Sequence, residues 1–237
     1  MYIIFLALTI TYFIFFVLIV FRRINRFNGV PITEKMKCGT YCHLICGLWG
    51  GVLVVAVMLL IAGLSFEDIG IRHIRFDYGP WFTGISLFLG GMLLLFSLYQ
   101  MIVLAISKKH KVAAEEKYGN HHVLSGILPR SKKEKRLWSL LSLSAGVCEE
   151  IIFRGFLVLL FQAIFPDISI FLLILIPNIL FGIAHLYQRL AGVIGSALLG
   201  VLFMCLFLVT DSLIIPILLH FIYDFSIKFT LSENTID

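Results

Sequence analysis

The sequence predicts an all-α fold: a polytopic transmembrane helical bundle of about seven spans. Three observations predict it. Hydrophobic residues make up 60% of the 237 positions and charged residues 14%, against roughly 45–50% and 25% in ordinary soluble chains. The mean hydropathy is +1.01, and it is concentrated in runs near the roughly 20 residues that cross a hydrocarbon core of about 30 Å as a helix. The basic residues, finally, cluster between those runs. Too few polar residues remain to cover a water-facing surface, and collagen, intrinsic disorder and a disulfide scaffold are excluded as well.

The elements follow in order. Tyr2–Phe21 is the first apolar run. It lacks a basic leader and a small-residue cleavage site, and Arg22-Arg23 follow it, so it reads as a retained span rather than a signal peptide. Leu44–Leu64 is the second. Ser65–Pro80 is a short polar connection, and Trp81–Ile106 the third span. A long basic loop is expected from Ser107 to Arg136. Trp138–Phe165 is the fourth span, Ile168–Leu186 the fifth, Ala191–Val209 the sixth and Leu213 to Phe229 the seventh. Ser232–Asp237 is a polar tail.

The net charge of +5 is explained by topology, not by nucleic-acid binding. Five basic residues (Arg22, Arg23, Arg26, Lys35, Lys37) lie in the first loop and nine between Lys108 and Arg136, whereas Ser65–Pro80 holds two against three acids. Loops rich in Lys and Arg stay on the cytoplasmic side. Seven spans then leave the N-terminus outside and the C-terminus inside, and the bilayer itself is the first partner. Cys38, Cys42 and Cys46 recur at helical spacing, a stripe that packing or lipid modification explains better than a disulfide or a metal.

An ionisable side chain at the bilayer centre costs about 2.5–3.5 kcal/mol on insertion scales. The first three spans carry essentially none. The last four carry Glu149, Glu150, Arg154, His185, His220 and Asp224. Glu150 and Arg154 are four apart, with the acid N-terminal, so they share a helix face and pair. Glu149 is turned about 100° away and is left free to act as a base. His220 and Asp224 share another face, and Phe181 lies one turn from His185. Pro177 and Pro216 each free a carbonyl in the preceding turn. His43, His73, His110, His121 and His122 fall at loops or boundaries and carry no such expectation.

Two histidines and a carboxylate are the ligand set of many catalytic zinc sites, which keep a fourth position for water. On this reading His185, His220 and Asp224 hold Zn²⁺, and Glu149 takes the proton from the bound water. The chain has no HExxH motif, so it is not a zincin.

The same residues resemble a known family, the CPBP intramembrane proteases, also called the Abi or type II CAAX prenyl endopeptidase family. Glu149-Glu150-Ile151-Ile152-Phe153-Arg154 is similar to its EExxxR motif. Phe181-Gly182-Ile183-Ala184-His185 is similar to FxxxH, and His220-Phe221-Ile222-Tyr223-Asp224 to HxxxN/D. The three occur in the family's order within Leu137–Phe229, and SFEDIGI at Ser65–Ile71 resembles its linker. The resemblance implies peptide-bond cleavage within or beside the membrane. Glu149 and His185 would activate water, and Glu150 and Arg154 would hold the site. It implies a membrane peptide or protein as substrate, prenylated in the eukaryotic branch. Short bacterial members process peptides or confer bacteriocin immunity, and this chain's size fits that type and a bacterial plasma membrane.

Two mechanisms are implied for such enzymes, one with a metal and one with Glu and His alone. Many members carry Asn at the third-motif position, where it can donate to an oxyanion. Ionised Asp224 cannot donate, which favours the metal. The expected organisation is a three-span region over 1–136 with its basic cytoplasmic loop, a catalytic membrane core over 137–231 and the tail 232–237. Two rivals stand beside the protease. A bacteriocin-immunity factor or scaffold would use the motif residues structurally. A proton-coupled transporter would use Glu149, His185 and Asp224 as a relay, but the chain lacks a matching pair of broken helices.

Overall fold

The computed structural model describes residues 1–26, 32–76, 78–119 and 127–231. The described residues form helices without strands. In chain order these are α1 (Tyr2–Asn25), α2 (Glu34–Ala62), α3 (Pro80–Ile106), α4 (Lys108–Gly119), α5 (Lys132–Glu150), a π-helical turn (Ile151–Phe156), α6 (Leu157–Ile164), α7 (Ile170–Ala184), α8 (Arg189–Thr210) and α9 (Ile214–Ser226). Single 3₁₀ turns at Leu186–Gln188 and Ile227–Phe229 follow α7 and α9. The protein is an integral membrane helical bundle. Among the described residues, four helices are able by length and composition to cross a bilayer, Tyr2–Asn25, Glu34–Ala62, Pro80–Ile106 and Leu186–Thr210, and α7 is a shorter apolar helix.

Local signals set most boundaries. Thr33 caps α2 by accepting from the Met36 amide at 3.3 Å. Gly63 ends that helix in the left-handed region at φ 69°, where glycine carries no Cβ penalty. Pro80 occupies the first turn of α3, where its missing N–H is not needed. Ser131 and Glu134 form a reciprocal capping box at the start of α5, each satisfying a donor that the helix leaves open.

That box corrects one expectation. Ser107–Arg136, read as a loop, contains α4, and the helix expected from Trp138 begins at Lys132. High charge density hid both, because apolar periodicity was the signal for a span. α2 likewise starts at Glu34 rather than Leu44, which places the cysteine stripe inside a helix: Cys38 is buried, and Cys42 and Cys46 are exposed free thiols. His121, His122 and the tail Ser232–Asp237 lie outside the described residues.

α1 and α3 lie at the periphery, and their outward faces are apolar. Trp81 is 85% exposed and Ile106 79%. Apolar surface on this scale is what lipid covers. The core joins Val55 and Met58 of α2, Phe153 and Phe156 of the π turn, Phe181 of α7, Met204 of α8 and Leu213. α5 packs between α2 and α9, and α7 packs along α8. Gly146 permits the α5–α9 approach: a Cβ there would lie 3.0 Å from the Phe221 backbone nitrogen and 3.1 Å from the Ile217 carbonyl. Small residues at such crossings let helix backbones close up in a membrane. This crossing sets the two glutamates of α5 against the third motif on α9.

The connection between α2 and α3 is ordered by its own polar groups. Asp68 accepts from the Ser65 amide at 2.7 Å and the Ser65 hydroxyl at 2.9 Å. These bonds, the amide first, hold its carboxyl below the ordinary carboxylate range. Further on, the Gly70 carbonyl accepts from the Leu213 amide at 2.8 Å, and Arg72 pairs with Asp211. The SFEDIGI segment therefore braces the turn between α8 and α9, and Ile69 is buried behind the π turn.

Candidate active site

Glu149, His185, His220 and Asp224 line one cavity of about 350 Å³. Its other walls include Phe16, Val20, Trp138, Tyr187 and Tyr223. Val20 precedes Arg22-Arg23, Trp138 follows the basic start of α5, and Tyr187 lies in the turn before Arg189. The cavity thus sits toward the end of the bundle at which the basic loops collect.

α5 ends at Glu150, and the π turn starts at the next residue. Such turns widen a helix and re-aim its side chains, often at functional sites. Glu150 and Arg154 are fully buried. Arg154 Nη1 donates to Glu150 Oε1 at 3.1 Å, which is the pairing that the four-residue spacing predicts. Its guanidinium carbon stands 4.2 Å from the centre of the Phe181 ring. Glu150 Oε1 also accepts from His220 Nδ1 at 2.8 Å. An ionised carboxylate only accepts, so Nδ1 of His220 carries a proton, and Nε2 turns to the cavity.

At Nε2 two carboxylates converge. Glu149 Oε2 and Asp224 Oδ2 each lie 3.7 Å away. Glu149 Oε2 is buried and has no hydrogen-bond partner among the described residues. The His220 ring stacks on Phe203, 5.2 Å between centroids, and meets the edge of Phe181. Trp138 Nε1 donates to the Asp224 backbone carbonyl at 2.9 Å, which ties α5 to α9 one turn from the site.

His185 lines the same cavity. It caps the C-terminus of α7, and its Nδ1 lies 2.9 Å from the Phe181 carbonyl. A carbonyl only accepts, so Nδ1 carries the proton and Nε2 keeps its lone pair. The ring packs on Phe181 at 4.8 Å, the neighbour its spacing predicts.

Glu149 also lines a second cavity of about 230 Å³, bounded by Tyr12, Phe13, Phe16, Leu48, Val55, Ile152 and Phe153 among others. That space is almost wholly apolar. Glu149 therefore stands on the wall between a polar chamber and an apolar one.

From the sequence, His185, His220 and Asp224 are expected as zinc ligands. The His220–Asp224 edge is 3.7 Å long, short enough for two donors to share an ion. No group of three or more His, Cys, Asp or Glu among the described residues is positioned to hold a metal. As placed, the donors stop short of the three that a catalytic zinc site takes.

Two contributors escape a reading of the sequence that looks for ionisable groups. Asn178 on α7 is buried, and its Oδ1 accepts from Arg154 Nη2 at 3.2 Å. A lone amide in an apolar run, one residue after Pro177, was the available signal. Phe203 carried none, since it is one apolar residue among many on α8.

Residues 134–226 match the family model described as Rce1-like, type II CAAX prenyl endopeptidase. The matched stretch runs from the Glu134 cap to the end of α9 and holds all three motifs. That stretch, less than half of the 237 residues, is similar to the type II CAAX endopeptidases of the CPBP family, a group of membrane peptidases. No curated protein and no solved structure matches the chain.

Proposed function

We propose that the protein is an intramembrane endopeptidase in which Glu149 activates water against a peptide bond. The observation that carries this reading is Glu149 itself: a carboxylate on the wall of a cavity shared with His185 and Asp224, 3.7 Å from His220 Nε2, with a buried oxygen that has no hydrogen-bond partner among the described residues. A general base needs a free lone pair within reach of the proton it takes. Its neighbour Glu150 has Oε1 engaged by both Arg154 and His220, and its Oε2, also without a partner among the described residues, is fully buried away from the cavity.

In the proposed reaction, Glu149 takes a proton from water as the oxygen attacks the scissile carbonyl. A tetrahedral intermediate forms, the C–N bond breaks, and the proton passes to the departing amine. The products are a carboxylic acid and an amine. His185 Nε2, with its lone pair turned from the Phe181 carbonyl, assists in orienting the water. Glu150 and Arg154 hold His220 from behind. The substrate is a peptide or protein segment at the membrane, and a prenylated C-terminus is one member of that class. The reading includes seven crossings, the N-terminus outside, and a cavity that opens on the cytoplasmic side, where the basic residues collect.

Zinc held by His185, His220 and Asp224 is the second reading, favoured by the short His220–Asp224 edge. The experiment that tests the function is Glu149→Gln in the full chain, with mass spectrometry of membrane peptides from cells carrying either form. The expected result is loss of the product peptides at unchanged protein abundance. Retained cellular function in the Glu149→Gln variant would instead support the immunity or scaffold reading.

A further inference from the structure

Behind the candidate site lies a chain of buried polar contacts that begins on a helix carrying no ionisable member of it. Asn178, 1% exposed, sits in the middle of α7. Its Nδ2 donates to the Ile174 carbonyl at 2.7 Å, and its Oδ1 accepts from Arg154 Nη2 at 3.2 Å. This orientation of the amide is fixed by chemistry. Arginine only donates, so the oxygen must face it, and the carbonyl of Ile174 only accepts, so the nitrogen must face that.

Arg154 passes the constraint on. Its other terminal nitrogen donates to Glu150 Oε1, and the same oxygen accepts from His220 Nδ1 at 2.8 Å. Glu150 Oε2 and Arg154 Nε have no hydrogen-bond partner among the described residues. One carboxylate oxygen therefore serves both Arg154 and His220, and the angle of the guanidinium decides where that oxygen stands. Without Asn178 the guanidinium keeps one hydrogen bond and its contact with the Phe181 face, and it is free to turn about both.

α8 supplies independent support. Gly200 faces the Arg154–Asn178 contact, and a Cβ there would lie 2.6 Å from Arg154 Nη2 and 3.0 Å from Phe181 Cδ1, with Asn178 Oδ1 nearer still. The helix that covers this contact gives up a side chain where the contact is made.

We propose that Asn178 is a positioning residue of the candidate active site: by holding Arg154 it fixes Glu150, which keeps the His220 proton on Nδ1 and presents Nε2 to the cavity. The inference rests on the proposed hydrolytic reading for its purpose, but its geometry is tested without any substrate. Asn178 touches no reacting atom and acts through Arg154 and Glu150. A merely structural role would alter how much protein folds. A positioning role alters which His220 nitrogen holds the proton.

The test is nitrogen NMR on the full chain, labelled with ring-¹⁵N histidine and embedded in lipid nanodiscs, with the His220 signals assigned by their loss in His220→Gln. The expected wild-type pattern is a single species protonated at Nδ1. Asn178→Leu, close in shape but without the acceptor, is expected to split His220 into two tautomers while the His185 signals stay in place. Asn178→Asp, which keeps the acceptor oxygen, is expected to restore the single species. If Asn178→Leu fails to fold, Gly200→Ala gives the same reading by pushing Asn178 off Arg154. A single unchanged His220 species in the folded Asn178→Leu or Gly200→Ala protein would overturn the proposal, as would a wild-type His220 without a proton on Nδ1. Loss of peptidase activity with an unsplit His220 would leave the hydrolytic reading standing and remove only this one.

Discussion

Replacing Arg154 by alanine is the sharpest single perturbation of this bundle. The guanidinium is fully buried. It donates to Glu150 at 3.1 Å and to Asn178 at 3.2 Å, and it lies 4.2 Å from the Phe181 ring centre. Alanine removes all three contacts and leaves the Glu150 carboxylate at membrane depth without its cation. Breaking a buried pair from one side costs about 3–5 kcal/mol. At roughly 2–4 °C per kcal/mol for a chain of this size, the melting temperature should fall by roughly 6–20 °C. The assay is thermal unfolding of the nanodisc-embedded protein, followed by tryptophan fluorescence, alongside the amount of folded protein recovered. Arg154→Lys should recover only part of the loss, because an ammonium is a point charge and cannot present the fork that spans Glu150 and Asn178. Adding Glu150→Gln to Arg154→Ala should be less damaging than the separate effects summed, since the stranded charge is then gone. An Arg154→Ala protein that accumulates and melts like wild type would refute the pairing as the source of stability.

Glu149→Gln should lower peptide hydrolysis about 10²–10⁴-fold, the usual contribution of a positioned base, with the melting temperature close to wild type. Leu190, 70% exposed in the first turn of α8, reports topology: with Cys42 and Cys46 replaced by Ser, a cysteine at 190 should react with a membrane-impermeant thiol reagent only in opened cells, and labelling of intact cells would reverse the orientation. Asp224→Asn separates the two mechanisms. If zinc is bound there, activity should be lost to a strong chelator, restored by Zn²⁺ and weakened by the amide, whereas without a metal the Asp224→Asn protein should stay active in chelator. In the α2–α3 connection, Asp68 is held below its usual carboxylate range by Ser65, so its contribution is present above the unfolded value and lost as pH falls through the lowered folded one. Hydrogen exchange at the Ser65 amide should accelerate across that window, and an exchange rate that follows only the intrinsic pH dependence would contradict it.

Much of the bundle was legible because lipid and helix geometry leave few choices. Pro80 and Trp81 marked the start of α3 within one residue of where it begins, and the gap between the runs ending at Val209 and starting at Leu213 holds the turn between α8 and α9. The Glu150–Arg154 and Phe181–His185 contacts followed from four-residue spacing alone. What was lost was helix built from charged residues. α4 and the first turns of α5 lie outside the apolar runs and are stabilised by capping and by water-facing charge, neither of which raises hydropathy. The π turn was also hidden: Ile151–Phe156 reads as ordinary apolar helix. Nor could spacing within single helices show that His220 Nδ1 meets Glu150, a contact across seventy positions that depends on Gly146 letting α5 and α9 close together.

The paired glutamates are adjacent in sequence and opposite in circumstance, and their difference follows from one step of a helix. About 100° of rotation turns Glu150 into the protein, where its side chain has 0% exposure, and leaves Glu149 with 15% at the cavity. Glu150 must answer both Arg154 and His220. Using it as a base would release a buried cation at the moment of reaction, and the cost of that release would be added to the barrier. Glu149 is held more loosely, with His220 Nε2 at 3.7 Å. Its Oε2 has no hydrogen-bond partner among the described residues, a condition that costs stability in a folded protein. The apolar chamber on one side of Glu149 and the polar one on the other would let a membrane segment bring its peptide bond to the carboxylate while water arrives from the side of His185. A lone EExxxR helix could not provide this. The second glutamate is restrained from the α9 side by His220 and from the α7 side, through Arg154, by Asn178, and only that restraint leaves the first one free.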